Sequence, residues 1–139
     1  MPQISELKLM AIDPGPHTGM AVWLPSYGYK AQMTQDMDEV RTWIDDLIPD
    51  VLIIERFATA GRISVDGLFT VDLVGQVKGM VWLLNKRGCH IDLKVRTPSQ
   101  RRAFMFEARE MKITEGPHEL DALAHLLAWK WLKEHGRNA

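Results

Sequence analysis

The sequence predicts an α/β layer fold with a mixed central sheet, and three observations carry that expectation. Strand-like runs crowd the first third of the chain, a run apolar on both faces follows at 51–54, and amphipathic helical segments alternate with strands thereafter. At 139 residues, 46% of them hydrophobic, the chain has material for one core, so a single domain over 1–139 is expected.

Leu7 to Asp13 reads as a first strand. The Pro14-Gly15-Pro16 segment, together with Gly19, reads as a turn, and Met20 to Leu24 as a second strand antiparallel to the first. Tyr29 to Met33 is a short third strand. From Asp36 to Leu47 the apolar residues Val40, Trp43, Ile44 and Leu47 fall at i, i+3, i+4 and i+7, behind acidic residues that suit a helix N-terminus.

After Pro49, Val51 to Ile54 is apolar on both faces, the signature of an interior parallel strand covered by helices, and Glu55 follows at once. Arg56 to Gly67 has no period and reads as a loop. Val71 to Asn85 reads as a helix in which Gly75 and Gly79, one turn apart, suit close backbone packing. Lys86, Arg87 and Gly88 end it, and His90 to Val95 alternates as a strand with Ile91, Leu93 and Val95 on one face. Thr97, Pro98 and Gln100 open a helix towards Met111. A last helix starts at Pro117, with Leu120, Leu123, Ala124, Leu127, Ala128 and Trp131 as its apolar stripe.

Composition narrows the partners. One cysteine, Cys89, excludes an internal disulfide and a Cys-rich zinc site, which suits a reducing compartment. No signal-peptide pattern and no apolar run of membrane-spanning length is evident, so a soluble, cytoplasmic protein is expected. Net charge is −1, yet Lys86, Arg87, Lys94, Arg96, Arg101, Arg102, Arg109 and Lys112 face only Asp92, Glu107 and Glu110 between 86 and 112. A basic band of that kind would suit phosphates.

The chemistry centres on strand ends. Asp13 and Glu55 each close a strand, and side chains at the carboxyl ends of strands line the crevice of an open α/β sheet. Two carboxylates converging there require a cation, and an oxygen-rich site suits Mg²⁺ or Mn²⁺, ions that activate water for phosphodiester hydrolysis. On the last helix His118, Asp121 and His125 at i, i+3 and i+7 form a stripe bordering the apolar one, from which the first two can reach the sheet.

Three segments carry a resemblance: AIDPGPHTGMAV from Ala11 to Val22, LIIERF from Leu52 to Phe57, and HELDALA from His118 to Ala124, with VGQVKGM from Val74 to Met80 between the last two. In this order they resemble the acidic motifs of the RuvC crossover-junction resolvases, in the ribonuclease H-like superfamily, and the resemblance spans nearly the whole chain. It implies a ribonuclease H-like sheet of about five strands, the first three antiparallel. It also implies a two-metal endonuclease that cuts branched DNA, Holliday junctions foremost, leaving 5′-phosphate ends, and works as a homodimer. Asp13 would bridge two Mg²⁺ or Mn²⁺ ions, Glu55 and Asp121 would each hold metal, and His118 stands where many members have aspartate. His125 would support the site from behind. Phe57 lies near the position of an aromatic residue that members insert at the junction point. Arg56, Arg62, Arg96, Arg101 and Arg102 are candidate DNA contacts, and His17 sits on the turn over the site. The helix Val71 to Asn85, with Met80 or Trp82 exposed, is the expected dimer interface. The chain departs from the family before its last helix, where Arg96 to Lys112 lacks the usual glycines. Strict junction cleavage and looser action on flaps and forks therefore both stay open. The compact length suggests a bacterial, phage-type member. A noncatalytic nucleic-acid-binding domain of the same fold and an RNA-directed ribonuclease H-type enzyme are the competing readings.

Overall fold

A computed structural model describes residues 3–56 and 64–137. Strands β1 (Leu9–Asp13), β2 (Thr18–Leu24) and β3 (Gly28–Thr34) form an antiparallel meander, and β4 (Val51–Glu55) and β5 (Asp92–Arg96) continue the sheet in parallel with β1. The order is β3-β2-β1-β4-β5, so the expected mixed sheet of five strands is present. Helices α1 (Met37–Leu47) and α2 (Val65–Lys86) cover one face, and α3 (Met105–Glu110) and α4 (Pro117–Glu134) the other.

Strand alternation divides the core. Met10, Ile12, Met20, Val22, Leu52 and Ile54 turn towards α1 and α2, where Val40, Ile44, Leu73, Val77 and Val81 meet them. Leu9, Ala11, Ala21, Val51 and Ile53 turn towards α4. Counting by twos from Ala11 and Ile53, the side chains of Asp13 and Glu55 belong to the α4 face. Ala11, Ala21 and Ala31 stand opposite one another across β1, β2 and β3. This row of small side chains lets α4 lie close to the sheet.

Several expectations need correction. Strand β2 begins at Thr18, so Gly19 is a strand residue paired with Asp13 rather than part of the turn. A Cβ on Gly19 would stand 1.9 Å from the His118 carbonyl oxygen, so the missing side chain is what allows the start of α4 to rest on β2. Helix α2 begins at Val65 instead of Val71, because Ser64 caps it by accepting a hydrogen bond from the Gly67 amide at 3.0 Å. Gly75 and Gly79 have nothing within 4 Å of a built Cβ, so they face outwards rather than packing against this chain. Met80 is half-buried against the core, whereas Trp82 is 62% exposed. Helix α2 is long and apolar enough to span a membrane by composition alone, but Leu73, Val77, Val81 and Leu84 bury one side of it on the sheet.

Strand β5 starts at Asp92, and as an edge strand it leaves Val95 49% exposed instead of sharing the buried face of Ile91. The expected helix from Thr97 to Met111 is a 3-10 turn over Pro98–Phe104 followed by α3; Gln100 Oε1 accepts from the Thr97 amide at 2.7 Å, as the capping pattern anticipates. Helix α4 buries a wider arc than its predicted stripe. The 3-10 turn and α3 pack along its flank, so Leu126, Trp129 and His125 are buried, while Leu127 is only half-buried and Trp131 is 39% exposed. The basic band is split as well. Lys86 and Arg87 lie at the far end of α2, about 30 Å along the helix from its first turn.

Candidate metal centre

The first site residue is delivered by β1. Asp13 ends the strand, and Pro14, Gly15 and Pro16 carry the chain away while Thr18 Oγ1 donates to the Gly15 carbonyl at 2.7 Å and closes the turn. Glu55 ends β4 one residue beyond the Ile12–Ile54 pair, which places it beside Asp13. Asp121 arrives from the first turns of α4, whose start is held by Glu119 Oε1 accepting from the Gly116 amide at 2.8 Å.

These three carboxylates offer oxygens that all lie within 4.8 Å of one another. Their environment shows the cost. Burial, reinforced by contact with ionised Glu55 and by the nearby Asp121, pushes the Asp13 carboxyl up to about 9. Burial also raises Asp121, opposed by the Arg101 guanidinium. Burial raises Glu55 too, but the facing His125 imidazole, the protonated Asp13 and the Arg101 charge outweigh it and bring Glu55 down to about 2. The two neighbouring carboxyls are thus pushed in opposite directions, Asp13 up and Glu55 down.

Both histidines of α4 approach this group. His118 Nδ1 is 3.7 Å from Asp13 Oδ2, and its half-exposed ring stacks with His17 at 5.6 Å between centroids. His125 is 2% exposed, and its Nε2 stands 3.6 Å from Glu55 Oε1 with no hydrogen-bond partner among the described residues. An orphaned imidazole nitrogen facing a carboxylate is suited to holding that carboxylate in place once its other contacts change.

Arg101 lies deeper in the cleft than an ordinary surface arginine. Expected as a DNA contact, it reaches into the acidic group: Nε donates to Glu55 Oε1 at 3.0 Å and Nη2 lies 3.3 Å from Asp121 Oδ2. Arg56 lines the same cleft and is exposed, its amide donating to the Arg96 carbonyl at 2.6 Å. Arg96 is half-buried, and its Nη2 has no hydrogen-bond partner among the described residues. Arg102 is exposed on the 3-10 turn, and Phe57 and Arg62 lie outside the described residues.

The cleft encloses about 620 Å³ and opens on Asp13, Glu55, Asp121, His118 and Arg101. Asp66 and Thr70, from the first turn of α2, also line it. Both were missed because that turn reads as loop; the Ser64 cap with acidic Asp66 behind it is the signal that marks a helix start there. The donor set is hard oxygen with one imidazole at its edge, which fits Mg²⁺ or Mn²⁺ and disfavours soft metals.

No protein-family model matches the sequence, and no curated protein is similar to it. Solved structures are similar. The chain superposes on Thermus thermophilus RuvC in complex with a Holliday junction substrate with a TM-score of 0.61 at 18% identity, over 94% of this chain and 96% of that one. The fold is that of the RuvC-type resolvases. The fowlpox virus resolvase bound to Holliday junction DNA gives a TM-score of 0.54 at 14% identity, over 93% and 99% of the two chains. The yeast mitochondrial Holliday junction resolvase gives 0.59 at 9% identity, over 94% and 83%. The expected fold is therefore present: the chain shares the fold of these resolvases, with a mixed five-stranded sheet between two helical layers.

Proposed function

We propose that this chain is a metal-dependent endonuclease that hydrolyses phosphodiester bonds in branched DNA, with four-way junctions as its foremost substrate. The observation that carries the reading is the meeting of Asp13, Glu55 and Asp121 at the strand ends of a resolvase fold. Buried like charges at such distances are stable only with protons or cations between them, and the upward push on the Asp13 carboxyl from burial, Glu55 and Asp121 is one that a bound cation would relieve.

A pair of Mg²⁺ or Mn²⁺ ions bound there would supply an activated water for in-line attack and would stabilise the departing 3′ oxygen, leaving a 5′-phosphate. Asp13 from β1, Glu55 from β4 and Asp121 from α4 would hold them. His118 would add a neutral ligand at the open edge, beside His17. His125 would keep Glu55 in register from behind. Arg56, exposed in the cleft, and Arg102, exposed on the 3-10 turn, would meet phosphates, and Arg62, Arg96 and Phe57 complete the proposed DNA contacts. The reading needs nothing covalent.

Paired cuts require paired sites, and the outward face of α2 fits a second copy. Val71, Gly75, Gly79 and Trp82 lie one turn apart along it; Val71 is 44% exposed, and the glycines would let another helix approach closely. A homodimer through this face is part of the proposal, as is a cytoplasmic setting and a bacterial or phage source.

Cleavage of end-labelled four-way junction, flap, linear duplex and RNA–DNA hybrid under Mg²⁺ or Mn²⁺ tests the substrate. Preferential nicking of the branched DNAs supports the reading. Preference for the hybrid would favour a ribonuclease H-type enzyme, and binding of junction DNA without cleavage of any substrate would favour a noncatalytic domain.

A further inference from the structure

We propose that Arg101 is an internal counter-cation that competes with divalent metal for Glu55 and Asp121, so that loading the site releases its guanidinium towards DNA. The inference rests on the metal-dependent reading above. It starts from geometry: a single side chain 19% exposed spans two carboxylates from different elements, contacting Glu55 Oε1 at 3.0 Å and Asp121 Oδ2 at 3.3 Å. Those residues are two of the three that form the acidic group, so the guanidinium sits on two of the carboxylates that would hold metal.

A divalent cation takes a carboxylate oxygen at roughly 2.0–2.1 Å for Mg²⁺. An oxygen has lone pairs for both partners, but a dication at that distance would stand within a few ångströms of a guanidinium in a half-buried cleft, where like charges are poorly screened. Joint occupancy is disfavoured, and the two cations exchange.

Arg101 is built to leave. It sits on the 3-10 turn Pro98–Phe104, where Pro98, Ser99, Gln100, Arg102 and Ala103 are all exposed. Its other polar contact is weak, 3.8 Å from Nη1 to Met105 Sδ. His125 Nε2 faces the same Glu55 oxygen from the buried side, so Glu55 retains a neighbour when Arg101 departs. Outside the acidic group the guanidinium would join exposed Arg56, which lines the same cleft. There a DNA phosphate would capture it and thereby favour metal, and by reciprocity metal would favour DNA.

The test is Mn²⁺ binding to the whole protein without DNA, by calorimetry, for the wild type, Arg101→Gln, Arg101→Lys and Arg102→Gln. A competitor that occupies the site in roughly nine molecules of ten weakens apparent affinity about tenfold. The expected result is therefore an Mn²⁺ Kd about tenfold tighter in Arg101→Gln, an intermediate one in Arg101→Lys, and no change in Arg102→Gln. A merely structural ion pair would leave affinity equal or weaken it when removed, and either result in Arg101→Gln overturns the proposal. Thermal unfolding with and without Mn²⁺ gives a second reading should Arg101→Gln be less stable: the expected metal-induced rise in Tm is larger than in the wild type, and an equal or smaller rise overturns the proposal. Wild-type binding with an unchanged Kd in Arg101→Gln would sink the competition alone. Absence of binding in every protein would sink the metal site with it.

Discussion

Replacing Gly19 by alanine should dislodge the start of α4 from the sheet and, with it, Asp121 and His118. The added Cβ would lie 1.9 Å from the His118 carbonyl oxygen, 2.2 Å from its carbon and 2.6 Å from the Glu119 nitrogen. All three are backbone atoms, so no side-chain rotation relieves the overlap. Restoring an ordinary contact of about 3.4 Å requires a separation of ~1.5 Å between β2 and α4. That shift falls on the turn bearing His118 and Asp121, opposite Asp13, with which Gly19 is paired. Overpacking of this kind costs roughly 1–3 kcal/mol, and at about 4 °C per kcal/mol for a chain this size Tm should fall by about 4–12 °C. Displacement of metal-binding groups by more than 1 Å should lower the nicking rate by ~100-fold or more. Thermal unfolding and single-turnover cleavage in saturating Mn²⁺ measure both effects. A Gly19→Ala protein with wild-type Tm and wild-type rate would show that α4 does not rest on β2 at this point.

Three more outcomes follow from the same geometry. Asp13 ordinarily ionises near 3.8 but holds its proton up to about 9 in the folded chain, so the stability it contributes is complete below about 3.8 and is lost as pH rises towards 9. Asp13→Asn should therefore raise Tm in EDTA, more at pH 8 than at pH 5; a gain independent of pH would contradict the strain assigned to Asp13. Imidazole at position 118 favours Mn²⁺ over Mg²⁺, so the wild type should be active at lower Mn²⁺ than Mg²⁺ concentrations, and His118→Asp should narrow the gap. Equal activity at every limiting concentration would count against a ligand role for His118. Trp82→Asp should weaken self-association ~30-fold, the effect of losing a central aromatic anchor, as read by sedimentation equilibrium; an unaffected dimer would place the interface elsewhere.

Much of the site was legible because strands obey a period of two. Asp13 follows Leu9 and Ala11, and Glu55 follows Val51 and Ile53, onto the face that α4 covers. The helical spacing of His118, Asp121 and His125 then brings α4 to the same point. What stayed hidden depended on contacts between elements. Gly19 reads as a turn residue until α4 is seen resting on it, and Arg101 reads as one more surface arginine until the 3-10 turn aims it inwards. The start of α2 was lost because the segment before it has no apolar period and only the Ser64 cap announces it. The buried arc of α4 was misplaced because α3 and the 3-10 turn pack on a flank that a single amphipathic stripe cannot foresee, turning Trp129 inwards and leaving Trp131 partly exposed.

The central claim is that Asp13, Glu55 and Asp121 hold metal that cuts branched DNA. Its most direct test is cleavage of a labelled four-way junction by the wild type and by Asp13→Asn, with Mn²⁺, with Mg²⁺ and with EDTA. The account predicts metal-dependent nicking by the wild type, none in EDTA, and loss of nicking in Asp13→Asn while the variant still binds the junction. Nicking that persists in Asp13→Asn, or that survives EDTA, would contradict it.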